Sequence, residues 1–161
     1  MQYKNTLLTI LCIGLTTASY ADWQYTKWGM TPEQVINSSK RSVVPTNNKE
    51  KSSQSASDGS NKALLTTQYE SGKFKFTVYF LFDKNSSELT YVHLLLNDKK
   101  FNSELLGATT SKYGKYDGKK SGEYLKAFYW YSSGDQITYI DVLSSVTLSY
   151  HPRLTKNNAG L

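Results

Sequence analysis

The chain has 161 residues, a formal net charge of +6 and one cysteine, with 20% charged and 14% aromatic residues. That length holds one domain with its own core, and a single cysteine excludes both a disulfide-stapled scaffold and a thiolate metal site. Lysines and acids are interspersed, so the mild basic excess describes a mixed solvated surface and points away from nucleic acid as a partner.

Residues 1–21 have the three-part layout of a secretory signal peptide. Lys4 supplies the positive charge, residues 7–15 the apolar run, and Ser19-Tyr20-Ala21 a small-x-small cleavage site. The run is too short to span a bilayer, and Cys12 lies inside it instead of at the cleavage point where a lipid anchor would attach. The expected product is a cysteine-free periplasmic or secreted protein of a Gram-negative bacterium, starting at Asp22, with no stable membrane anchor.

Residues 22–27, with Trp23 and Tyr25 alternating against polar neighbours, read as an extended lead-in or edge strand. The stretch 28–35 then starts a helix that runs to about residue 40. Thr31 is placed to cap it, Pro32 falls at the first helical position, and Gln34 stands three residues after the cap, where it can reach back. Met30 and Val35 occupy the two positions of a hydrophobic staple, and Trp28 is a ready docking side chain. Residues 45–62 turn to Asn, Ser, Lys, Gln and Gly and read as a mobile loop.

From residue 63 the hydrophobic period becomes two. Strands are expected at 63–69, 74–82 and 88–96; in the second, Phe74, Phe76, Val78, Phe80 and Phe82 face one way and Lys75, Thr77, Tyr79 and Leu81 the other. Asn97 or Asp98 can cap a helix to about residue 113, stopped by Gly114. Past a Gly- and Lys-rich connection at 115–122, strands are expected at 123–131, 136–142 and 146–150, with residues 155–161 a frayed tail. Hairpin-length turns make the sheet antiparallel. The expected fold is therefore one α+β domain over 22–154: two layers, with two helices on one face of the sheet, in the order helix, meander, helix, meander.

The W-G-M-T-P-E-Q-V start, taken with residues 105–114 and the closing meander ending at Tyr150, resembles the helix-then-sheet unit of the β-lactamase inhibitor protein fold. It is also similar to the small lipoprotein subunit of the outer-membrane β-barrel assembly machine, from which it departs by lacking a cysteine at the signal junction. That resemblance implies a non-enzymatic binder.

The residues offer little chemistry of their own. His93 and His151 lack metal-ligand spacing, the acids are dispersed, and the glycines around 114–122 do not open a helix after a strand, so neither a metal nor a cofactor is expected. Tyrosines are the informative residues. If the helices cover the Phe76 face, then Tyr79, Tyr91 and Tyr139, with Lys75 and His93, populate the open face as a surface for an envelope protein partner. The alternatives are a carrier for a small lipid, glycan or peptide ligand, with strand 88–96 as a wall, and a hydrolase with an unrecognised site.

Overall fold

Among the described residues eight antiparallel strands form a single sheet, and few helices accompany it. The computed structural model describes residues 23–54 and 59–153; the expected signal peptide, the tail at 155–161 and residues 55–58 of the expected loop lie outside the described residues. In chain order the elements are α1 (Pro32–Ser38), β1 (Val44–Pro45), α2 (Asn48–Ser53), β2 (Asn61–Ser71), β3 (Phe74–Asp83) and β4 (Leu89–Leu96). A 3-10 turn at Lys99–Phe101 then leads into α3 (Asn102–Tyr113), followed by β5 (Gly118–Ser121), β6 (Leu125–Ser132), β7 (Asp135–Val142) and β8 (Ser145–Pro152). The strand order is β1-β2-β3-β4-β8-β7-β6-β5, so β4 and β8 meet at the middle of the sheet. The protein is thus α+β with an antiparallel sheet.

Tight turns set this register. Between β6 and β7, Ser133 and Gly134 both have positive φ, at 48° and 93°, the backbone twist that a two-residue hairpin loop requires. Pairing across the sheet then decides which side chains share a face. Phe76, Val78 and Phe80 lie opposite Leu96, Leu94 and Val92; Val92 and Leu94 oppose Tyr150 and Leu148; these oppose Ile137 and Tyr139, which in turn oppose Trp130 and Phe128. Most of these residues are buried in one cluster that also contains Val35 of α1 and Leu105 of α3, each side chain stabilising the fold by about 1.5–3 kcal/mol when fully removed from water.

Local chemistry at α1 follows its sequence. The Thr31 side chain accepts from the Gln34 N–H at 3.4 Å, the Gln34 side chain accepts from the Thr31 N–H at 2.8 Å, and Pro32 opens the helix. Such a cap is worth about 1 kcal/mol. Val35 is fully buried, and Met30 and Trp28 pack against the same cluster. Trp28 has a longer reach than its neighbours suggest: its indole N–H donates to Asp135 Oδ1 of β7 at 2.8 Å. The helix stops at Ser38, short of residue 40, because Lys40 and Arg41 both take left-handed backbone angles, φ 53° and 66°.

Several expectations need correction. Residues 23–27 form a turn and not a strand: the Thr26 N–H and hydroxyl both donate to the Trp23 carbonyl, and Trp23 itself is buried in the core. The 45–62 segment contains α2, whose Asn47 cap and Glu50 form a second reciprocal box, and β2 begins at Asn61, inside the segment's end. The 115–122 connection carries the edge strand β5. β8 continues through His151-Pro152, since a proline at the last ladder position leaves earlier hydrogen bonds intact. Tyr139, expected on the open face, is 2% exposed and belongs to the core. Its hydroxyl donates to the Asn102 carbonyl at the start of α3 at 3.0 Å. β7 is apolar on both sides, with Ile137 and Tyr139 against Ile140 and Val142, and only its pairing with β8 tells the inner side from the outer.

Candidate binding face on the sheet

The second face of the sheet divides into two halves. On the β2–β3 half, Lys75 is exposed and pairs with Glu70 at 3.2 Å. Tyr79 is 6% exposed and forms a small second core with Ala63 and Leu81, against which Tyr91 and Leu95 pack. Helix α2 packs beside β2, and its Glu50 stands close enough to Tyr79 to act on it. Burial first, and then that carboxylate, push the Tyr79 phenol above its ordinary pKa. Tyr79 is therefore a packing residue beneath α2, not an exposed contact.

The other half is built from β4, β8, β7 and β6. Pairing places Tyr91, His93 and Leu95 beside Thr147, Ser149 and His151, and these beside Gln136, Thr138 and Ile140, then Ala127, Tyr129 and Tyr131. An open trough runs along the middle, with Thr138 and Ser149 buried at its base, Tyr91, His93 and His151 half-buried along one side, and Gln54 at its wall. The Tyr91 ring stands edge-on to His93, with centroids 5.7 Å apart, and tilted against His151 at 4.7 Å.

Among the described residues, the strand positions of this half carry no charged side chain. Every position named in it is aromatic, aliphatic, amide, hydroxyl or imidazole, in a chain that is 20% charged overall. The imidazoles are also neutral near pH 7. Burial, and secondarily the neighbouring His151, lower the His93 pKa to about 4, and burial lowers that of His151. His151 Nδ1 meets the Pro152 carbonyl oxygen at 3.0 Å, so that nitrogen is committed to the backbone and not to a carboxylate. Charged groups stand at the margins: Lys75 with Glu70 on one side, Lys120 of β5 on the other, and Arg153 stacked 4.4 Å over the Tyr131 ring.

Of the five residues expected at the site, Tyr79, Tyr91 and His93 come together, since Tyr79 and His93 are cross-strand partners. Lys75 lies on the same face toward its edge, and Tyr139 lies on the other face. Beside Tyr91 and His93 stand Thr138, Thr147 and Ser149, which were not expected at the site, and His151, which the sequence presents only as lacking metal-ligand spacing. The alternation of Val146, Leu148 and Tyr150 with Thr147, Ser149 and His151 was the signal that could have found the last three. Among the described residues no cluster of three or more His, Cys, Asp or Glu side chains is arranged to hold a metal ion, and no helix is long and apolar enough to cross a membrane.

A neutral surface of rings and hydroxyls can stack, bury area and exchange hydrogen bonds with another protein. No protein-family model, curated protein or solved structure matches the chain.

Proposed function

We propose that this protein is a non-enzymatic binding or inhibitor module of the bacterial envelope that docks a protein partner on the β4-β8-β7-β6 half of its second sheet face. The observation that carries the proposal is the charge-free patch itself. Interface cores are depleted of charge and enriched in tyrosine, because a desolvated charge is costly whereas a tyrosine brings large area and a polar tip at little loss of side-chain freedom. The marginal charges, Lys75 with Glu70, Lys120 and Arg153, then form the rim.

Export rests on the signal-like residues 1–21, which would deliver the chain to the periplasm. The helix arrangement belongs to the same proposal: α1 and α3 back one face and each precedes a run of strands, while α2, a third helix that the expected two-layer order lacks, covers only the β2–β3 half of the other face and leaves the β4-β8-β7-β6 half for the partner. That order is the link to the β-lactamase inhibitor protein fold that the terminal motifs resemble.

The test is co-purification from envelope extract with the tagged mature chain, comparing the parent with Thr147→Lys at the centre of the patch and Ser103→Lys on the exposed side of α3. The parent and Ser103→Lys are expected to retain the same partner, and Thr147→Lys to lose it at an unchanged melting temperature. Equal retention by Thr147→Lys, or no retained protein with the parent, overturns the proposal.

A further inference from the structure

On the helical side of the sheet the core does not close. An opening of about 240 Å3 lies between α3 and the strands, floored by Phe76, Leu94 and Leu148 and walled by Leu105, Tyr113 and Trp23. Its origin is geometric. Eight strands at about 4.8 Å spacing make a sheet more than 30 Å wide. Helices of seven and twelve residues are only about 10 and 18 Å long. They leave apolar floor uncovered.

Polar side chains also line this opening, Gln24, Tyr69, Ser71 and Thr109 among them, and Lys112, Tyr113 and Tyr150 form one polar group where α3 meets β8. The Tyr113 hydroxyl donates to the Tyr150 hydroxyl at 3.3 Å, so the Tyr150 hydrogen points to a second acceptor, for which a ligand competes with the buried Asp135 carboxylate near Tyr150. Among the described residues Lys112 is the one charged residue in the lining, and its ammonium stands 4.9 Å from the centroid of the Tyr113 ring. An apolar floor with a cation and an O–H donor at one end is complementary to a molecule with an apolar body and an anionic head.

We propose that this cavity binds a free single-chain carboxylate of about eight to twelve carbons, a size suited to a cavity of this volume filled at interior packing density. The chain lies over Phe76, Leu94 and Leu148, and the carboxylate accepts from the Tyr150 hydroxyl and meets the Lys112 ammonium. The site is on the opposite side of the sheet from the proposed docking face and does not depend on it.

Calorimetric titration of the purified mature chain with decanoate, decanol and decyltrimethylammonium tests this. Decanoate is expected to bind with a Kd below about 100 µM, and the cationic amphiphile at least about tenfold more weakly. Lys112→Gln should weaken decanoate about fivefold and leave decanol unchanged, as expected for loss of one partly exposed charge contact. Ala108→Trp, which fills the rim of the opening from an exposed position on α3, should weaken decanoate and decanol alike by about tenfold or more at an unchanged melting temperature. Absence of decanoate binding up to about 1 mM, equal affinity for the cation, or parental binding by folded Ala108→Trp overturns the proposal. Should Ala108→Trp fail to fold, Lys112→Gln decides: equal effects on decanoate and decanol count against the carboxylate. Thr147→Lys should leave decanoate binding intact, so the two proposals fail separately.

Discussion

Trp28 and Asp135 are 107 positions apart in the chain and 2.8 Å apart in space, and their hydrogen bond ties the start of α1 to the start of β7. Asp135 is buried, so the indole N–H is one of the groups that compensates a carboxylate for lost water. Trp28→Phe keeps most of the ring packing and removes that donor. It should cost about 2 kcal/mol in urea unfolding, and a cycle with Asp135→Asn should show the two changes to be coupled. A cost below about 0.5 kcal/mol would mean that water replaces the indole without penalty. At this scale the sequence shows local partners and hides distant ones. Thr31, Pro32 and Gln34 could be placed because a helix cap is made by neighbours. Tyr139 could not, because β7 carries apolar side chains on both faces and the choice between them is made by Leu148 across the ladder.

At the scale of elements, α2 shows how composition misleads. Its six residues, Asn-Lys-Glu-Lys-Ser-Ser, include no apolar residue for a hydrophobic pattern to register, and a helix this short is unstable alone. The reciprocal bonds between Asn47 and Glu50, at 2.9 and 3.0 Å, and contact with β2 beside Tyr79 are among the interactions that hold it. Asn47→Ala removes half of that box. It should destabilise the protein by about 1 kcal/mol. Because the loss is local, amide exchange should quicken in α2 and in the strands around Tyr79 before it quickens in β7 and β8; uniform acceleration would show that α2 unfolds only with the whole domain. The long strands were legible for the opposite reason. In β3 the period-two pattern is long and strong enough to fix both existence and facing, whereas the four residues of β5, Gly-Lys-Lys-Ser, have only their pairing with β6 to make them a strand.

For the whole molecule, the central pairing of β4 with β8 brings two histidines from distant parts of the chain into one neutral surface, and this makes stability depend on pH in a definable window. His93 faces Tyr79 across β3, Ser149 across β8 and the rings of Tyr91 and His151, with Glu50 of α2 near Tyr79. Burial lowers its pKa from the model-peptide value of 6.5 to about 4. Well above pH 6.5 neither the folded nor the unfolded chain holds a proton there, and the group has no effect on stability. Between 6.5 and about 4 the unfolded chain takes up a proton that the folded chain refuses, so stability falls as pH falls; below about 4 the loss is complete. His151, also lowered by burial, adds a change of the same sign. Discounted for the partial exposure of the ring, the His93 contribution is about 2 kcal/mol. Urea unfolding at pH 7.0 and pH 4.5 should therefore show the parent losing more stability than His93→Gln, whose amide cannot take the proton. Carboxylates titrate alike in both proteins and cancel from the comparison, so parallel losses would mean that His93 is protonated in the folded protein as readily as in the unfolded one. If partner docking uses this surface, the same proton places a charge in the middle of the contact, and acid should release the partner in the parent and hold it in His93→Gln.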